Sequence, residues 1–160
     1  MKLWFASNPA WAHVEGKPVV FVNNAAGCDA TERWMDAANN EWYVVLRAFA
    51  GFEDCPMQPD SWHQQSINEE NGGVEIVEGY SYNIAPGEWR GDQEEPEVER
   101  MSGADWCSNV RDMTDSGAPW QLIVSFNEWN AGTSVETSEE WASESGYGIY
   151  MDCLNDSNSM

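Results

Sequence analysis

The sequence predicts an α/β fold of parallel β/α units, a TIM-type half-barrel with about four strands, in one domain spanning residues 1–160. Three observations lead there. Short continuous apolar runs recur along the chain, and such runs mark strands buried on both faces. Stretches of helical character separate most of them, as crossover connections do. Finally, 160 residues suit one domain but fall short of the roughly 200 or more that a full (β/α)8 barrel needs.

Pro18–Val22 (PVVFV) is the first strand, and Thr31–Ala38 follows as a helix capped by Asp29 or Thr31. Trp42–Phe49 (WYVVLRAF) is the second strand. A long polar loop, Gly51–Gly73, then carries CPMQPDSWHQQ. Tyr80–Ile84 (YSYNI) is a third, shorter strand closed by Pro86-Gly87. Glu94–Met113 reads as helix despite Pro96 and Gly103, Trp120–Phe126 as the fourth strand, and Glu139–Leu154 as a last helix weakened by Gly146 and Gly148.

Composition narrows the function. Seven Lys and Arg against 28 Asp and Glu give a net charge of −21, which excludes a basic grip on nucleic acid or anionic lipid. No apolar run reaches the ~18 residues of a membrane span, and the first residues lack the pattern of a secretory leader. The acid excess is either an ordinary solvated surface or one suited to high salt, where ions screen self-repulsion. Four Leu against ten Trp imply a core of Trp and Val.

The cysteines form no C-x-x-C pair and the two His lie fifty residues apart, so neither a metal site nor a cofactor is expected. An even number of Cys agrees with an oxidising, extracellular setting. Cys28 follows the first strand and Cys55 the second, on one edge of the sheet, so a Cys28–Cys55 disulfide is expected there. Cys107 and Cys153 fall on the last two helices, either paired or as buried thiols.

Residues suited to chemistry gather at the predicted strand ends, where α/β folds place their sites. Asn23, Asn24, Asp60, Trp62, His63, Asn83, Asn127 and Glu128 lie there, although strand ends are also polar simply because they meet water. Trp62, Trp89 and Trp129 offer either a sugar platform or core packing. The segment WQLIVSFNEW delivers Glu128 to the sheet mouth with Trp129 beside it. A carboxylate held against an indole, partly out of water, has its pKa raised, as glycoside chemistry asks of an acid or base.

The run SFNEW followed by Gly132-Thr133 and Glu136 resembles the eighth-strand motif of family 99 glycoside hydrolases, the endo-α-mannosidase-like (β/α)8 enzymes. NPAWAHVEGKPVVFV, PDSWHQ, YSYNIAPGEW and EEWASESGYGIYMDCL resemble further segments of that group, covering nearly the whole chain but only the C-terminal half of the barrel. The resemblance implies action on O-glycosidic bonds of a polysaccharide or glycan, with Glu128 as catalytic base. Asn127, Trp129, Trp62, His63, Asp60, Asn83, Tyr82 and Glu136 are the substrate-binding candidates. It also implies a second glutamate three residues after the first, and here that position is Ala131. The alternative is therefore a non-catalytic carbohydrate-binding or structural module derived from such a barrel. A half-barrel leaves open edges, so a homodimer or a second chain completing the barrel is the expected partner arrangement.

Overall fold

The strands fall into two separate mixed sheets, which corrects the predicted parallel half-barrel. The structure, a computed structural model, describes residues 4–24, 26–64 and 72–157. Its chain divides into two compact units, Met1–Gln64 and Gln65–Met160.

In the first unit the sheet order is β1 (His13–Val14), β2 (Lys17–Val22), β3 (Tyr43–Arg47), β4 (Ser61–His63). Only Glu15 and Gly16 separate β1 from β2, and both adopt positive φ, 52° and 78°. That turn geometry closes an antiparallel hairpin, whereas a parallel pair needs a crossover of about a dozen residues or more. Between β2 and β3 the chain has room for one, and α1 (Cys28–Ala38) occupies it. β3 then pairs in parallel with β4, setting Leu46 opposite Trp62. β4 lies inside the stretch read as loop, because three residues cannot display a period; residues 65–71 of that stretch lie outside the described residues. Val19, Val22, Val44, Val45, Leu46 and Trp62 are the buried heart of this unit. The expected Cys28–Cys55 disulfide is present and ties the start of α1 to the chain beyond β3.

In the second unit the order is β5 (Val74–Val77), β6 (Ser81–Ile84), β7 (Trp120–Ile123). Three residues join β5 to β6, with Gly79 at φ 76°, so this pair is antiparallel by the same length argument. β6 and β7 pair in parallel, with α2 (Gly103–Asp115) in the connection. The four strands read from the sequence are thus divided two and two; β1 and β5 add antiparallel contacts and β4 a parallel one.

Two helices also differ from the sequence reading. α2 begins at Gly103, where the Ser102 hydroxyl accepts the Asp105 N–H at 3.2 Å and caps the helix. The predicted stretch before it is extended, with Val98 bridged antiparallel to Glu88. The last helix breaks at Gly146 and Gly148, both at positive φ, leaving a 3-10 turn at Glu139–Trp141 and α3 at Ile149–Ser157. Ile84, Trp106, Val110, Met113, Val135, Trp141 and Tyr150 form the core, and a second disulfide, Cys107–Cys153, links α2 to α3. Among the described residues no helix is long and apolar enough to cross a membrane.

Candidate functional site

Three of the expected site residues belong to the first unit, and each is engaged in holding it together. Asp60 Oδ2 accepts the Val44 N–H at 2.9 Å, while Oδ1 faces Lys17 Nζ at 3.4 Å. Trp62 is 1% exposed; its indole N–H donates to Gln58 and its ring packs on Phe49 and Phe52. It is a core residue rather than a platform. His63 is equally buried, with Nε2 3.4 Å from the Val22 carbonyl and its ring edge-on to Phe21.

Burial first of all pushes the His63 imidazole below its ordinary pKa, with Arg47 acting in the same direction and backbone hydrogen bonds opposing. The folded ring is therefore held neutral while the unfolded ring protonates near pH 6.5. This contribution is complete above about pH 6.5 and is lost as the pH falls through the folded value. The first unit is expected to lose stability on acidification in that window, with His63 titrating below 6.5 by NMR. A His63 midpoint at or above 6.5 would contradict this account.

In the second unit Asn83 is buried on β6 and Tyr82 is half-buried against the helices. Burial, and then the Asp112 charge, raises the Tyr82 hydroxyl above its ordinary range. Glu128, Asn127 and Trp129 are exposed on the loop after β7. This loop is tightly tied: Ser125 Oγ meets Thr133 Oγ1 at 2.8 Å and accepts the Glu128 N–H at 3.0 Å, and Glu136 N–H donates to the Phe126 carbonyl. The carboxylate against an indole is thus Glu136 rather than Glu128. Its Oε2 accepts the Trp129 indole N–H at 2.8 Å, and its carbonyl accepts that of Trp141 at 3.0 Å. Both indoles are fixed by one residue and stack at 5.4 Å with planes 12° apart.

Beside this stack opens a cleft of about 560 Å3, lined by Glu88, Trp89, Pro96, Val98, Glu99, Arg100, Trp129, Gly132, Ser134, Glu140 and Trp141. Trp89 stands 54% exposed and Trp129 48%, although both indole N–H groups are bonded, Trp89's to the Gln93 carbonyl. The rings are therefore held by their edges, with one face of Trp129 lying on Trp141 and about half of each side chain left open. Trp89 is brought close by Gly132, whose φ is 65° and where a Cβ would come within 2.8 Å of the Trp89 nitrogen. Ala131, where the family resemblance implies a glutamate, is buried, and its carbonyl accepts the Trp89 N–H at 2.9 Å.

Arg100 closes the back of the cleft. Its terminal nitrogens donate to the carbonyls of Gly132 and Ser134, and its guanidinium lies 4.0 Å from the Trp141 ring centroid and 4.7 Å from that of Tyr150. Glu88, buried at the rim, is held by Arg90 at 2.8 Å, and that hydrogen bond and charge raise the guanidinium further above its already high range. Of the residues around the cleft, the sequence reading names Trp89, Trp129 and, behind the stack, Glu136; Arg100 and Trp141 are not among its candidates. Nothing in the local sequence sets Arg100 apart from the chain's other arginines, because its partners Gly132 and Ser134 lie more than 30 residues away.

Among the described residues no three His, Cys, Asp or Glu side chains group as metal ligands. The cleft is lined by the indoles of Trp89, Trp129 and Trp141 and by the carboxylates of Glu88, Glu99 and Glu140. Comparisons of this chain with protein-family models, with curated proteins and with solved structures give no match.

Proposed function

We propose that the second unit is a carbohydrate-binding module whose site is the cleft between Trp89 and Trp129. The observation that carries this reading is the pair of half-exposed indoles whose polar edges are already bonded. An indole face left in water by a fixed ring is an apolar surface waiting for a flat apolar partner, and the C–H face of a pyranose supplies one. The rim carboxylates Glu99 and Glu140 accept hydrogen bonds, as sugar hydroxyls require. Binding rather than hydrolysis is favoured by Ala131, which can neither hold nor give a proton, beside an exposed Glu128.

Calorimetric titration against soluble manno-, cello-, chitin and chitosan oligomers tests the proposal. Trp129→Ala and Trp89→Ala are expected each to weaken binding of the recognised oligomer by about tenfold or more. Trp34→Ala, which removes a part-exposed indole on α1, is expected to leave binding unchanged. No release of reducing ends is expected. Retention of full affinity in both cleft variants would overturn the assignment.

A further inference from the structure

We infer that the glycan taken by this cleft carries free amino groups, so that a protonated amine sits between the indole faces and the carboxylates of the rim. This rests on the carbohydrate reading and adds the charge of the ligand to it. Two features of different physical origin select the same sign.

The first is the pair of exposed indoles. The face of an indole is the negative end of its quadrupole, and it attracts an ammonium group within about 6 Å of the ring centre. Trp89 and Trp129 are about half exposed at positions fixed by their bonded N–H groups, Trp129 with one face on Trp141 and the other not engaged in that stack.

The second is the balance of charge around them. The ionisable lining residues are Glu88, Glu99, Arg100 and Glu140. Arg90 binds Glu88, and Arg100 has both terminal nitrogens on backbone carbonyls and its plane on two aromatic rings. Neither cation is turned to a ligand anion. Glu99 and Glu140 are exposed, and among the described residues the ion pairs are Arg90–Glu88 and Lys17–Asp60, so neither carboxylate has a cation of its own. The chain's net charge of −21 adds a field that gathers cationic ligands and repels uronate or sulfated ones. A neutral sugar would cover the indoles and hydrogen-bond the carboxylates, yet leave their two negative charges uncompensated. An amino sugar answers both features at once.

The test is calorimetric titration of the full chain at about pH 5.5, between the usual ranges of carboxylates and amines. The probes are a chitosan tetramer, the fully N-acetylated chitin tetramer and a galacturonate trimer. The chitosan tetramer is expected to bind about tenfold tighter than its acetylated counterpart, a difference of about 1.4 kcal/mol, and the galacturonate not at all. Glu99→Gln with Glu140→Gln alters exposed side chains only and is expected to bring the two tetramers within about twofold, as is raising the salt to about 0.5 M. Equal affinity for the two tetramers in the unaltered chain would overturn the amine while leaving the indole platform standing. Binding of neither tetramer, nor of any neutral oligomer, would overturn both readings.

Discussion

Replacing Cys107 and Cys153 together by serine is expected to lower the unfolding free energy of the second unit by about 4 kcal/mol, the chain-entropy value for the loop they close. That loop runs over 46 residues and includes β7, the cleft loop and Trp141. The loss would not stay at the sulfurs. Tyr150 on α3 accepts the Trp106 indole N–H on its carbonyl at 3.0 Å and donates its hydroxyl to the Met101 carbonyl at 2.8 Å. Its ring also carries the Arg100 guanidinium. Freeing α3 therefore loosens the support beneath Trp141 as well as the core. Denaturant unfolding of the double variant, and of the native chain with and without reductant, measures the effect. A change below about 1 kcal/mol would mean that helix packing alone fixes α3.

Arg100→Ala is expected to cost about 3 kcal/mol and to weaken glycan binding by about tenfold or more. Two carbonyls, of Gly132 and Ser134, lose a charged donor, and each such bond is commonly worth about 1.5–3 kcal/mol. Trp141 and Tyr150 lose a stacked cation in addition. Because Trp141 in turn stacks on Trp129, the exposed platform is expected to shift with it. Arg100→Lys is expected to recover only part of either quantity, since an ammonium cannot reach two carbonyls as a planar fork does. The affinity is read well below the variant's melting temperature, so that loss of binding is separated from loss of fold. Wild-type affinity and melting in Arg100→Ala would contradict this role.

Much of the local structure could be read from the chain. The apolar runs around Val19–Val22, Val44–Leu46 and Leu122–Ile123 are strands, and Cys28 does meet Cys55. The sheet arrangement could not, because the elements that decide it are too short to show a period. His13–Val14, Ser61–His63 and Val74–Val77 have two, three and four residues; the first and last pair antiparallel, the second parallel, and together they complete two separate mixed sheets. Asp60, Trp62 and His63 looked like chemistry because acid, indole and imidazole stand side by side. The structure uses each locally, on Val44 and Lys17, on Gln58, and against Val22.

At the cleft, the SFNEW segment draws attention to the loop after β7 through residue type. What holds the loop beside the cleft is a set of contacts distant in sequence: Arg100 on Gly132 and Ser134, and Trp89 against Gly132. No spacing rule exposes these. Ala131 changes meaning as well. A glutamate introduced there would have to fit a position 6% exposed, so Ala131→Glu would overpack the support under Trp89 before it could serve as an acid.

The measurement that tests the central claim most directly is a 1H–15N spectrum of the tryptophan indoles during titration with chitosan and neutral oligosaccharides. Each indole N–H reports one ring. The Trp89 and Trp129 signals are expected to move with ligand and saturate together, while those of the core residues Trp62 and Trp106 stay in place. Saturable binding that leaves Trp89 and Trp129 unmoved, or that moves only indoles outside the cleft such as Trp34, would contradict the account.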